Sequence, residues 1–456
     1  MSLIRSPKRQ HDDHPAPGGG PASRSDPASR SGPAALLGLL TAAGGPRYAA
    51  ALLVDALGTG LLRPFLLLYG IGVLALDAGT AGLAMSAGMV AGLLVLPLTG
   101  RWIDRGARSL PAAATLLVRA AGSVVLLLAD GPAGFAAAAV LLGVGGQSWP
   151  ATHAAVVSTL TEGRTRDAAL AAGRTLRNAG LGAGALLATL AVAGGSGALR
   201  LLAAVTGAAC LLAAALVHSL RVTAPQAPPP PAGSGRAGGP ALRRITLLSV
   251  ANLPYSFAFD VLEVALPALL VLHLHASPAW SSGVFVGNTV LVITLQLAVV
   301  VRLAGRARHL VLAAGGTALA LSYLGFWAAG SLGGTAGAAG VAAVSVLFTL
   351  GEILYSGSGT ALVAASAPPH LLGRALARWE FSSGVGRALA PAALTALLAA
   401  GPHVLWPVLA VTTLFAAAAV ARLRPARGAA GPRVADPGRR GTCPHAPGPV
   451  VRKDTA

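Results

Sequence analysis

The segment Gly100-Arg-Trp-Ile-Asp104-Arg105-Gly-Ala-Arg108 is the feature from which the fold can be worked out. Its charged residues lie between two apolar runs, at 80–99 and 110–129. Each run is about as long as the roughly 20 residues that a membrane-spanning helix needs. A short, charged connection between two such runs indicates a pair of membrane helices whose connection lies in water.

The composition of the whole chain indicates a protein that spans the membrane many times. Of its 456 residues, 54% are hydrophobic and only 11% are charged, and the mean hydropathy is +0.69. An average soluble domain carries about a quarter charged residues. This composition argues against a soluble enzyme, a disordered chain and a disulfide scaffold. The two cysteines, Cys210 and Cys443, show no metal or redox spacing.

The spacing of the apolar runs predicts two equivalent halves. We interpret the Pro- and Gly-rich segments 1–46 and 423–456 as disordered cytoplasmic tails, the second of them basic, and 222–244 as a cytoplasmic linker. The remaining segments, 47–221 and 245–422, each accommodate six helices. The predicted fold class is therefore an all-α membrane protein with twelve transmembrane helices in two six-helix bundles, as expected for a transporter built from repeats.

The arginines predict the orientation of this bundle. The connections that carry nearly all of them lie near 101–108, 164–166, 221–244, 302–308 and 374–378, and the intervening loops carry almost none. The positive-inside rule then places both termini in the cytoplasm of a cell membrane. The formal net charge of +19 is accordingly interpreted as a signal for insertion and for contact with anionic lipid, not for nucleic-acid binding.

Two motifs resemble those of a known family. The segment 100–108 resembles the loop between helices two and three of the major facilitator superfamily, in which Gly, Asp, Arg and Arg recur at this spacing. Gly351-Glu352-Ile-Leu-Tyr, followed by Gly373-Arg374-Ala375, is similar to the tenth helix and following loop of bacterial drug-exporter (drug:proton antiporter) members.

The resemblance implies a conformational latch. Its residues would be Gly100, Asp104, Arg105 and Arg108. In this family the Asp meets the start of helix eleven, here near 375–378, when the inner side is closed. Arg105 and Arg108 are expected to pair with nearby acids, namely Glu162, Asp167 or Glu380.

Polar side chains inside the apolar runs are the candidate site, because charges at membrane depth are costly and tend to face a cavity or a partner. The proton-coupling candidates are Asp55, Glu352, Asp260 and Glu263. The cavity or substrate candidates are Arg63, Asn178, Asn252, Tyr255, Phe259 and Arg387. Asp55 and Glu352 lead, since the resemblance implies that helices one and ten line the cavity. The alternative is that these charges form internal ion pairs that lock helices together, the interpretation favoured for Arg119.

These features predict secondary active transport of a small molecule, and we favour proton-coupled export of an apolar or amphipathic compound, as in multidrug or metabolite efflux. The alternatives are a proton-coupled uptake symporter of the same fold and a membrane-embedded sensor or enzyme on such a bundle. We expect no enzymatic activity, catalytic residue, cofactor or metal site. The expected partners are the substrate, protons and the lipid bilayer, with no nucleic acid, and the protein is expected to act as a monomer.

Overall fold

The structure of this chain is a computed structural model that describes residues 44–192, 195–224, 238–303 and 305–423, together with positions 38 and 41. The predicted tail at 423–456, except for its first residue, lies outside the described residues. So do most of the predicted tail at 1–46 and most of the predicted linker at 222–244.

The described part of the chain forms twelve long helices, two of which are interrupted, and it contains no β-strand. The first half consists of α1 (Gly45–Gly72), α2 (Ala78–Asp104), α3 (Ser109–Leu128), α4 (Pro132–Leu160), α5 (Gly163–Val192) and α6 (Gly195–Ser219). The second half begins with α7 (Gly238–Ser256, continued by short helical segments to His273) and α8 (Pro278–Leu303), followed by α9 (Arg308–Leu332), α10 (Gly334–Ser366), α11 (Leu372–Ala399) and α12 (Pro402–Ala421).

Ten of these helices are long and apolar enough to cross a membrane. The other two are α4, with a run of small and polar residues around Gln147, and α5, which carries several arginines. The predicted all-α fold with twelve helices is confirmed. α5 begins at Gly163. α7 begins at Gly238, inside the predicted linker, so this bound differs from the prediction.

α1 and α7, the first helices of the two halves, are both irregular. A 3-10 turn at Arg63–Phe65 interrupts α1, and π-helical turns span Val261–Ala265 and Leu269–His273 in α7. Pro64 and Pro267 lie within or beside these turns, and proline cannot donate the backbone hydrogen bond that a regular helix needs. Irregular backbone at membrane depth is tolerated where it is buried in protein or lines a cavity.

Glycines bring neighbouring helices into backbone contact within the first half. A Cβ added to Gly143 of α4 would overlap the carbonyl oxygen of Gly88 in α2, and one added to Gly88 would overlap that of Ala139. In the same way, a Cβ on Gly184 of α5 would lie 2.8 Å from the Cα of Gly60 in α1. Small residues that allow such approach are the usual means of packing membrane helices, since lipid offers no hydrophobic drive for their association.

Candidate substrate cavity and contacts between the halves

The two halves meet toward one face of the bundle. We call the face at which α1 begins and α12 ends the terminal face, and the opposite one the far face. Near the terminal face, α2 packs against α11 and α5 packs against α8. A Cβ on Gly100 of α2 would lie 2.8 Å from the Cβ of Ala377 in α11, and one on Gly373 would overlap the carbonyl oxygen of Gly100. α2 and α11 are therefore in closest contact at their terminal-face ends.

Asp104 caps this contact at the start of α11. Its Oδ1 accepts a hydrogen bond of 2.6 Å from the backbone N–H of Gly373. Its Oδ2 accepts one of 2.7 Å from Nε of Arg374 and one of 3.3 Å from the backbone N–H of that residue. A helix N-terminus has unpaired N–H groups and a positive dipole end, so a carboxylate is stabilised there. Asp104 thus joins the halves close to the position predicted for it, one to two residues before 375–378.

Arg108 stabilises the loop that carries Asp104. It does so through neutral partners and not through the acidic residues expected from the sequence. It donates to the carbonyl oxygen of Ile103, and its Nε donates to the hydroxyl of Thr159 at 3.1 Å. Burial lowers the pKa of the Arg108 guanidinium, although the nearby charge of Asp104 opposes this effect. The backbone N–H groups of Arg108 and Ser109 also bond to the carbonyl oxygen of Val222, directly after α6. The segment 100–108 is therefore fixed to its own half.

A second ion pair joins the halves at the terminal face, between α5 and the start of α9. Arg308 donates from Nε to Oδ2 of Asp167 at 2.7 Å and from Nη2 to the carbonyl oxygen of Gly163 at 3.2 Å. As with Asp104 and Arg374, the acid comes from the first half and the base from the second. Asp167 is therefore paired with Arg308 and not with Arg105 or Arg108.

Midway through the bundle, arginines of both halves lie near one another, at the depth where transporters built from repeats have their substrate cavity. Arg63 of α1 is exposed, and Arg177 of α5 and Arg387 of α11 are half-buried. Arg177 lies about 21 Å along α5 from its first residue, and Arg387 about 22 Å along α11, so the two lie at similar depth. Each of these arginines is close enough to the other two to interact electrostatically.

Three acids of the second half lie near these arginines. Glu263 of α7 is exposed and lies within electrostatic range of Arg63, whereas Asp260 and Glu380 are half-buried and within range of Arg387. Within the described residues, none of these three acids reaches ion-pair distance of an arginine. One oxygen of Asp260, Oδ2, is buried and has no hydrogen-bond partner in the described part of the chain.

Asp55, a leading candidate from the sequence, lies in a buried ion pair within the first half. Its carboxylate contacts Nη1 of Arg119 in α3, and both side chains are almost fully buried. Arg119 also donates from Nη2 to the hydroxyl of Thr59, which in turn donates to the backbone carbonyl of Asp55 at 2.7 Å. Gly145 of α4 leaves room for the arginine, because a Cβ there would overlap its side chain. This pair links α1 to α3.

Glu352, the other leading candidate, has a different environment. Asn288 of α8 donates from Nδ2 to Oε2 of Glu352 at 2.8 Å and to the hydroxyl of Thr349 at 3.0 Å. All three residues are buried. Asn288 and Thr349 also line a cavity of about 380 Å³ between α8 and α10, whose other walls are mostly apolar and include Trp280 near the far face.

The remaining sequence candidates fall into two groups. Asn252 is buried within the second half, where Nδ2 donates to the hydroxyls of Ser382 and Ser383 at 2.9 and 2.8 Å and Oδ1 accepts from Tyr355 at 2.8 Å. Tyr255 is fully buried and stacks on Tyr355, with ring centroids 5.0 Å apart. Phe259 and Asn178 are half-buried. Asn252 and Tyr255 therefore serve mainly the packing of α7 against α10 and α11.

Three polar residues of this region were not among the candidate site residues from the sequence: Arg174, Glu380 and Asn288. Arg174 reaches across to α10, where its Nη2 lies 3.5 Å from the hydroxyl of Thr360. The start of α5 at Gly163 would have identified Arg174, because it places this residue about 16 Å inside the helix. No local signal identifies Asn288, whose role depends on a partner 64 positions away.

A bundle of twelve helices in two halves, which pack together at the terminal face and bring charged side chains together at mid-depth, is the architecture of transporters that work by alternating access. The sequence model of the Major Facilitator Superfamily matches residues 48–250. The solved structures that share the fold of this chain are transporters. No curated protein sequence matches the chain significantly.

Solved structures share the fold at low sequence identity. The human organic anion transporter MFSD10 (TETRAN) is 16% identical with a TM-score of 0.66, covering 86% of this chain and 100% of its own. A bacterial homologue of the iron transporter ferroportin, in an outward-facing state, is 15% identical with a TM-score of 0.63, covering 84% and 98%. The E. coli fucose:proton symporter FucP is 14% identical with a TM-score of 0.62, covering 81% and 96%.

Proposed function

We propose that this transporter couples the entry of protons to the export of a small amphipathic compound. The observation that carries the proposal is the environment of Glu352, a buried acid whose bonded partner is the neutral amide of Asn288. Burial of a carboxylate charge is costly, and protonation removes that charge. Glu352 can thus exist with or without its proton, as a group that couples proton movement to a change of state must.

The pairing of Asp55 makes it the weaker candidate of the two. Arg119 keeps its positive charge at all physiological pH values, and its guanidinium contacts the carboxylate of Asp55 directly. We therefore assign proton coupling to Glu352 first and treat Asp260 and Glu263, which face the cavity, as further candidates. Asp55 is assigned a structural role in joining α1 to α3.

The cavity between α8 and α10 supports a route for the proton. It begins near Trp280, close to the far-face end of α8, and reaches Asn288 and Thr349. Asn288 bonds directly to Glu352, so a proton that enters this cavity from the far face comes within one hydrogen-bonded residue of the acid. In the proposal, Glu352 takes up its proton while the terminal face is closed and releases it when that face opens.

Export is proposed from the resemblance of the tenth helix to that of drug:proton antiporters. Uptake by proton symport is the second candidate, and the cavity arginines favour it. If the substrate were an anion, its binding would favour protonation of the nearby acids, so substrate and proton would bind together. Export of an anionic substrate in exchange for protons requires that the proton-binding residue lie away from the bound anion. Glu352 meets this requirement, because it bonds to Asn288 and lies outside the group formed by Arg63, Arg177 and Arg387.

The test measures proton movement and substrate movement together. The unaltered protein and Glu352→Gln are each purified and reconstituted in liposomes that contain a pH indicator. A panel of anionic, neutral and cationic amphipathic dyes is then added to each preparation. Exchange predicts that dye and protons cross in opposite directions, and that Glu352→Gln abolishes proton movement. The matched control, Asp130→Asn in an exposed far-face loop, should transport normally. Co-directional movement establishes symport, and proton movement that persists in Glu352→Gln rules this residue out as the carrier.

We also propose that the terminal face is cytoplasmic and that the membrane is the cell membrane. The loops and helix ends at this face carry Arg101, Arg105, Arg164, Arg306 and Arg378, among others. Arginine enrichment of this kind marks the cytoplasmic side. A reporter fused after Leu423 should therefore report a cytoplasmic location, and a signal from the opposite side would reverse the assignment.

A further inference from the structure

We propose that the transported compound carries an anionic group, such as a carboxylate, sulfonate or phosphate, and that Arg63, Arg177 and Arg387 bind it in the central cavity. The proposal names the substrate class of the transporter and therefore rests on the transport function. It does not depend on the direction of transport.

The first observation is that the three guanidinium groups converge from three helices and from both halves. Arg63 comes from α1, Arg177 from α5 and Arg387 from α11, and each lies within electrostatic range of the other two. Guanidinium groups repel one another, and this repulsion is strong where little water screens it. Such an arrangement is stabilised when an anion lies among the three charges.

The second observation is that the described residues supply no such anion at contact distance. The ion pairs Asp55–Arg119, Asp167–Arg308 and Asp104–Arg374 do not involve Arg63, Arg177 or Arg387. Arg387 donates a long hydrogen bond of 3.4 Å to the carbonyl oxygen of Ser383, one turn earlier in its own helix. This leaves most of its donors available. By contrast, Arg119, Arg308 and Arg374 each have a bonded carboxylate.

The third observation concerns the helices that border this position. Arg63 begins the 3-10 turn that interrupts α1, and Glu263, which interacts with it electrostatically, lies in the π-helical turn of α7. Interrupted helices at corresponding places in the two halves of a transporter are a marker of the substrate site. π-helical turns are also frequent at functional sites. Arg63 therefore lies where backbone geometry, independently of charge, indicates binding.

The chemistry of arginine specifies the ligand. A guanidinium presents a planar set of donors that matches the oxygens of a carboxylate, sulfonate or phosphate, and it cannot lose its proton to become neutral. A carboxylate, in contrast, becomes neutral when it takes up a proton. Protonation of Asp260 or Glu380 would leave the arginine charges unbalanced and strengthen the binding of an anion. We therefore expect anion affinity to increase as the pH is lowered.

The experiment uses four probes that share one apolar body: 2-naphthoate, 2-naphthalenesulfonate, the neutral 2-naphthamide and the cation 2-naphthylmethylammonium. Their binding to the full-length protein in lipid nanodiscs is measured by calorimetry without any proton gradient. Both anions should bind about tenfold more tightly than the amide or the cation, as expected for charge-assisted hydrogen bonds. Arg63→Gln and Arg387→Gln should each remove most of this preference, and Arg63→Lys should retain part of it.

Two control variants distinguish binding at the cavity arginines from a general effect of positive charge and from the proton-coupling step. Arg101→Gln, which alters an exposed arginine at the terminal face, should keep the full preference for anions, and each variant must elute and melt as the unaltered protein does. Glu352→Gln should also keep the preference, so a failure of the proposed proton coupling would leave this result intact. Any of three results would overturn the proposal: equal affinity for the four probes, no binding of either anion at millimolar concentration, or a preference for anions that survives in Arg63→Gln and Arg387→Gln.

Discussion

Asp104 and Gly373 lie 269 positions apart in the chain, and the carboxylate of the first accepts a 2.6 Å hydrogen bond from the backbone N–H of the second. This bond joins the end of α2 to the start of α11, and thereby one half of the protein to the other. Because opening of the terminal face would separate α2 from α11, we expect this bond to stabilise the closed state of that face.

Replacing Asp104 with Asn should shift the protein toward the state with an open terminal face. The charge of Asp104 at a helix N-terminus contributes about 0.3–2 kcal/mol, so the ratio of the two states should change by roughly 2- to 30-fold. Transport should fall, while substrate affinity changes little because Asp104 lies far from the cavity arginines. The shift can be followed by labelling a cysteine introduced as Thr360→Cys, which is buried at the contact between α5 and α10.

Asp130→Asn, which removes an exposed far-face carboxylate, is the matched control for this prediction and should not change labelling. The role of Asp104 as a latch would be refuted by an Asp104→Asn variant that loses substrate binding but is labelled at the rate of the unaltered protein.

The buried pair of Asp55 and Arg119 should show strong coupling in a double-mutant cycle. Asp55→Asn or Arg119→Met alone leaves one buried group without its ionic partner, and such changes cost about 3–5 kcal/mol. The double variant removes both charges and should recover much of this loss. Melting temperatures in one detergent, measured for all four proteins, test the prediction. Additive effects would show that the two residues do not act as a pair.

Gly143→Ala should destabilise the first half, because the new methyl group would overlap the carbonyl oxygen of Gly88 and force α2 and α4 apart. Overpacking of this kind costs about 1–3 kcal/mol. Gly146→Ala in the same helix meets open space and should leave stability unchanged. Thermal unfolding of the two variants in matched detergent makes the comparison. Equal melting temperatures would mean that α2 and α4 adjust without cost.

Much of the architecture could be predicted from the sequence. The number of helices follows from runs of apolar residues, because a helix that satisfies its own backbone hydrogen bonds in lipid needs only local composition and length. The partner of Asp104 was also predictable, since the motif at 100–108 resembles that of a family in which that contact recurs. Glu352 was identified as a candidate because its helix resembles the tenth helix of drug exporters.

The partners of the buried charges were decided by tertiary structure alone. Asp55 contacts Arg119, 64 positions later, and Glu352 contacts Asn288, 64 positions earlier. The sequence identified both acids as equal candidates for proton coupling, and only their neighbours distinguish an ion pair from a neutral hydrogen bond. Likewise, Arg63, Arg177 and Arg387 come together because small residues set how closely and at which depth their helices pack. The length of an apolar run is a local property of the chain. Which face of a helix contacts a neighbouring helix is decided only when the whole bundle packs.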